Sequence, residues 1–76
     1  MKKYIVRIHT EEMKGRVDEV STIDCTDHDN AEYVVDEYLS MLFKQEDVTD
    51  YHDTYDDKWI VEYFPKMRET ITIEEA

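Results

Sequence analysis

The chain has 76 residues, enough for one small domain (residues 1–76) and too few for a multidomain enzyme. Its 20 acidic and 9 basic residues give a formal net charge of −11, yet 41% of residues are hydrophobic and 12% aromatic, which excludes a disordered acidic tail. No apolar run approaches the length of a membrane-spanning helix, no apolar segment follows the basic start Lys2-Lys3 as a signal peptide requires, and the single cysteine, Cys25, excludes an intramolecular disulfide; these readings predict a cytoplasmic protein.

Residues 3–9 read as a strand, with Tyr4, Val6 and Ile8 alternating on one face and Lys3, Ile5, Arg7 and His9 on the other. Residues 10–15 read as a turn, because Gly15, the only glycine, accepts positive φ. A second strand is predicted over residues 16–25, with Val17, Ile23 and Cys25 opposite Val20, closing a hairpin.

The spacing predicts a helix over 27–44, where Ala31, Val34, Val35, Tyr38, Leu39 and Leu42 form one apolar stripe. Thr26 or Asp27 is its expected N-cap, and Asp29 and Lys44 suit the two ends of the helix dipole. Residues 46–57 read as a short, weak helix or an ordered loop: Val48, Tyr51 and Tyr55 fall at helical spacing, but the residues between them are mediocre helix formers. Residues 58–64, apolar on both faces, read as a central strand ended by Pro65. Lys66 and Met67 turn the chain into a last strand over 70–73. The predicted fold is α+β: a ββαββ chain whose antiparallel sheet carries one main helix on one face.

The charge is unevenly placed. Residues 1–17 carry a net +3, residues 18–57 a net −13, and residues 58–76 a net −1. The acidic middle does not read as a calcium loop, since residues 46–57 lack the glycine and the closing glutamate such a loop needs. Cys25 and His28, with His9 and His52, supply a zinc donor set on paper, but without paired spacing; a lone cysteine at a strand end is more often a small buried hydrophobe. Ser21, Ser40, Cys25 and the three histidines form no nucleophile–base motif, and one glycine cannot cradle a phosphate. No enzymatic activity and no cofactor are expected. Direct nucleic-acid binding is disfavoured because phosphate contacts need Lys and Arg; Lys2, Lys3, Arg7, Lys14 and Arg16 read instead as partners of the protein's own carboxylates.

The same charge favours a basic protein partner. Asp29, Glu32 and Asp36 lie on the outward helix face at axial separations of about 4.5 and 6 Å, comparable with the phosphate spacing of about 3.4 Å along a DNA strand. Asp47, Asp50, Asp53, Asp56 and Asp57 extend the array, and Tyr51, Tyr55 and Tyr33 supply aromatic anchors within it.

In short length, acid-rich middle, tyrosines among aspartates and one helix with a few strands, the chain resembles the small acidic proteins that bacteriophages make against host defences, DNA mimics and some anti-CRISPR proteins among them. The resemblance spans the chain but rests on general character and no motif. It implies a viral, non-enzymatic inhibitor that occupies the DNA site of a basic, DNA-binding protein such as a CRISPR effector, in the host cytoplasm, with no direct nucleic-acid or membrane contact. Two other readings stand beside it. One is a homodimeric structural module paired through an open sheet face bearing Ile5, Ile60 and Phe64. The other is a weak divalent-cation binder.

Overall fold

A computed structural model of the chain describes residues 2–15 and 17–76. Its elements are β1 (Tyr4–Glu12), β2 (Asp18–Cys25), α1 (His28–Gln45), β3 (Val48–Asp53), β4 (Lys58–Tyr63) and β5 (Met67–Glu75). They form one antiparallel sheet in the order β2-β1-β5-β4-β3, with α1 packed on one face against β1, β5 and β2. The α+β class and the single helix agree with the sequence reading. The expected ββαββ order becomes ββαβββ, because residues 48–53 are a strand and not a weak helix or loop.

The physical reason lies in one irregularity. The β3–β4 register shifts between Val48 and Asp50, so β3 bulges there. The extra residue lets Val48 and Tyr51, three apart, share the helix-side face, opposite Tyr63 and Val61 respectively. A bulged strand thus imitates the three-residue spacing of a helix. Val48, Thr49 and Tyr51 are also good strand formers once β4 offers a ladder.

Other boundaries shift for simpler reasons. β1 runs to Glu12 and β5 from Met67 to Glu75, each carried beyond its apolar residues by the other, with which it pairs along its whole length. The first turn therefore begins at Met13 and not at Thr10; the Glu12 N–H donates to the Val17 carbonyl at 2.9 Å and Gly15 adopts φ 81°. Arg16, predicted to open the second strand, lies outside the described residues. The strand over residues 58–64 is interior but one place off centre; β5 is central, and Phe64 stands in the turn with Pro65.

The helix begins where expected. Asp27 is its N-cap, its Oδ1 accepting the Asn30 N–H at 2.7 Å, and Asn30 Oδ1 in return accepts the Thr26 N–H at 3.2 Å. Ala31, Val35, Leu39 and Leu42 are buried on the sheet, over Val6 and Ile8 of β1, Ile71 and Ile73 of β5, and Val61 and Tyr63 of β4. Val34 and Tyr38 flank this stripe. Cys25 is buried at the end of β2; desolvation, with Asp24 adding to it, raises its thiol pKa, so it packs as a small hydrophobe and not as a ready thiolate.

One acid is placed where no acidic residue was expected. Glu69 points from β5 into the core beneath the helix and is only 3% exposed. Tyr63 donates its hydroxyl to Glu69 Oε2 at 2.5 Å, and Tyr38 of α1 donates to Oε1. Among the described residues, no buried side-chain nitrogen or oxygen lacks a partner. Burial, reinforced by the hydrogen bond to Glu69, pushes both tyrosine pKa values far above the usual phenol range. The Tyr38→Phe and Tyr63→Phe variants should each lose about 1–3 kcal/mol in urea unfolding, since each leaves a buried carboxylate one donor short. The double variant should lose more than the two singles added, because no donor remains; strict additivity would show that the two hydroxyls do not act on one group.

Candidate functional site

The β3–β4 turn carries the densest acidic segment, and the sequence builds it rigidly. Asp53 Oδ1 accepts the Tyr55 N–H at 2.7 Å, an Asx-turn closed by the aspartate itself. The N–H and the hydroxyl of Thr54 both donate to the Lys58 carbonyl, at 3.0 and 2.9 Å. Tyr55 and Asp57 take left-handed conformations, φ 58° and 54°. For aspartate this is tolerated; for tyrosine it is strained. The Tyr55 ring stands in solvent, 92% exposed.

The turn is fastened to the rest of the molecule through Asp57. Its carbonyl accepts the Ile73 N–H from β5 at 3.0 Å. Its carboxylate meets His28 Nε2 at 2.9 Å, while His28 Nδ1 meets Glu32 at 3.1 Å, one turn further along α1. The His28 ring also packs edge-on against Tyr4, centroids 5.3 Å apart. The hydrogen bond that His28 donates to Asp57, helped by both carboxylate charges, raises the His28 pKa above its ordinary 6.5. His28 thus bridges the helix and the turn, accepting a proton more readily than a free imidazole.

Eight of the ten predicted site residues lie on this side. Glu32, His28 and Asp29 place ligand atoms within 4.8 Å of one another at the start of the helix. Asp57 joins them through His28. Tyr51 projects from β3 on the helix side, and its ring packs edge-on against Phe43 of α1 at 5.2 Å. Burial, then the nearby groups Asp53, Tyr55 and Asp36, raises the Tyr51 pKa above the usual phenol value. Asp36 and Tyr33 continue the outward helix face, both exposed. Asp56 stands exposed in the turn.

Two predicted residues fall elsewhere, Asp50 because of the bulge and Asp47 because it lies at the end of β3 remote from the turn. Asp50 is opposite Glu62 on the face away from the helix, its Oδ1 accepting the N–H of Tyr51 at 3.0 Å. Asp47 sits at the far end of β3, where its carbonyl accepts the Phe64 N–H at 2.9 Å. Neither belongs to the acidic face beside the helix. The sequence reading missed His28 as its organiser and Phe43 as the partner of Tyr51. The i, i+4 spacing of His28 and Glu32 was a readable signal; the long-range partner Asp57 was not.

The zinc donor set read on paper does not assemble. Cys25 is buried, whereas His9 and His52 lie on the opposite sheet face, three strands apart, about 14 Å. Residues 46–57 are a strand and a turn, so no calcium-type loop is formed. Of the five basic residues read as internal partners, two show such pairs among the described residues: Lys2 with Glu75 at 2.9 Å and Arg7 with Glu74 at 2.5 Å, the latter lowering the Glu74 pKa through its hydrogen bond; Arg16 lies outside the described residues.

Two expected outcomes follow from the clamp and the turn. His28 binds its proton more tightly in the folded state, so its stabilisation is fully present below pH 6.5 and is lost as pH rises through the raised value. The His28→Gln variant should therefore lower the melting temperature at pH 5.5 and much less at pH 9; an equal loss at both would deny the ionic clamp. Tyr55→Gly should raise stability by about 0.5–1 kcal/mol, because glycine relieves the left-handed strain at a small entropic cost in the unfolded chain. A loss of stability in denaturant titration would show that the ring contributes packing after all. In comparisons with known proteins, no family model, no curated protein and no solved structure matches the chain, so the reading of this face rests on its own geometry.

Proposed function

We propose that the protein is a non-enzymatic, stoichiometric inhibitor that presents its acidic face to the nucleic-acid site of a basic, DNA-binding protein, a CRISPR effector being one such target. The observation that carries this reading is that His28 joins Glu32 of the helix to Asp57 of the turn with Asp29 beside them, while Asp36 and Tyr33 continue the same outward helix face and the exposed Tyr55 and Asp56 stand in the turn. Carboxylates on a rigid helix and a rigid turn need no ordering on binding, which lowers its cost. Exposed tyrosines within the field supply contact area with few rotatable bonds. A partner groove lined by Arg and Lys would meet charges spaced much as phosphates are.

The homodimer reading is less well supported. On the face away from the helix, Ile5 and Ile60 are half-buried and lie two strands and two rows apart. Between and beside them run Arg7–Glu74, His9–Asp18 and Arg68 with Glu11 and Glu62. That lattice offers a second copy no continuous apolar surface.

The test uses the triple variant Asp36→Asn, Asp53→Asn, Asp56→Asn, which spares the Asp57 clamp and keeps an acceptor at position 53. Immobilised wild-type protein should retain a DNA-binding protein from host lysate, release it as salt rises, and displace its DNA when added free. The triple variant should bind that partner at least tenfold more weakly with an unchanged or higher unfolding midpoint. Unchanged affinity would sink the proposal. Tyr55→Gly should weaken binding despite its greater stability.

A further inference from the structure

The two edges of the sheet are built differently. β3, one edge, is short, bulged, and has one of its N–H groups taken by the Asp50 side chain. These are ordinary ways of blunting an edge. β2, the other edge, has none of them. It runs eight residues, Asp18–Cys25, in unbroken register with β1 and has no proline, lysine or arginine. All but Cys25 are exposed, including Val20 and Ile23. Among the described residues, the one polar contact to its main chain outside the β1 ladder is the Cys25 thiol on the Ile23 carbonyl, at 3.7 Å. Half of its backbone groups therefore face outward, a template about 27 Å long.

The charge along this template selects its occupant. Asp18, Glu19 and Asp24 lie on β2 and Asp27 just beyond it, with no basic residue among them. A second copy is a poor fit. Antiparallel self-pairing centred on Ser21 sets Asp18 opposite Asp24 at both ends, and in any register the two copies each carry −11. We propose that β2 accepts an extended, lysine- or arginine-bearing segment of another protein as a sixth strand. The main-chain ladder supplies affinity, Val20 and Ile23 favour apolar residues at its centre, and the flanking carboxylates favour basic residues at its ends. This edge lies across the sheet from the acidic face beside β3 and does not rest on the role given to that face.

The probe is a ten-residue peptide with lysines at both ends and alternating valine and threonine between. Added to the isotope-labelled protein, it should slow hydrogen exchange at alternate amides of β2 and leave those of β3 unchanged. The same peptide N-methylated at alternate residues should bind at least tenfold more weakly, having lost its ladder donors. The exposed-site variant Glu19→Lys, Asp24→Lys should weaken it by a similar factor, while Asp36→Asn, Asp53→Asn, Asp56→Asn should not. Undiminished binding of the N-methylated peptide, or changes mapping to α1 and the β3–β4 turn, would overturn the proposal. So would protection of the β2 amides by self-association without peptide, which would assign the edge to a second copy.

Discussion

A carboxylate in a hydrophobic core is the constraint around which this small domain is arranged. Glu69 is removed from water between the sheet and the helix, and among the described residues it forms no salt bridge; the hydroxyls of Tyr38 and Tyr63 reach it instead. An uncompensated buried charge is costly enough to reorder a structure until donors are found. Here one donor comes from the helix and one from β4, so the acid ties two layers and two strands at once. The tie sets the helix in rotation and in register. Once Tyr38 is held to β5, Asp29, Glu32, Tyr33 and Asp36 must face outward, and Phe43 must reach β3.

The molecule separates its charges by face. On the side away from the helix, basic and acidic side chains alternate across neighbouring strands, and Arg7, His9 and Arg68 each meet at least one carboxylate. On the helix side the acids outnumber the cations heavily, and His28 holds the helix to the turn. Exposed pairs of this kind contribute little to stability individually. Their arrangement nonetheless decides where the unbalanced potential emerges, and so from which direction a basic molecule is drawn in.

Much of this was legible in the residues. The apolar stripe of α1, its Asp27 cap, the alternation of β1 and the apolar run of β4 are local patterns, and local patterns survive into the fold. β3 was not legible, because a bulge turned a two-residue period into an apparent three-residue one. Glu69 was not, because nothing in Arg68-Glu69-Thr70 announces that two distant tyrosines converge on it. Within the candidate site, the outward acids of the helix could be placed from spacing alone. The fates of Asp47, Asp50 and Asp57 depended on long-range pairing that spacing does not encode.

The β3–β4 ladder has one more consequence. The chain's only tryptophan, Trp59, stands directly opposite Asp53 on β3 and beside Ile71 on β5, half-buried at the margin of the helix. Its indole therefore sits between a dry interior and the root of the strained turn. Any molecule that settles on the turn changes the water and the electric field around that ring, and an indole's emission wavelength responds to both. The protein carries an optical probe at the base of its most acidic loop, supplied by its own sequence.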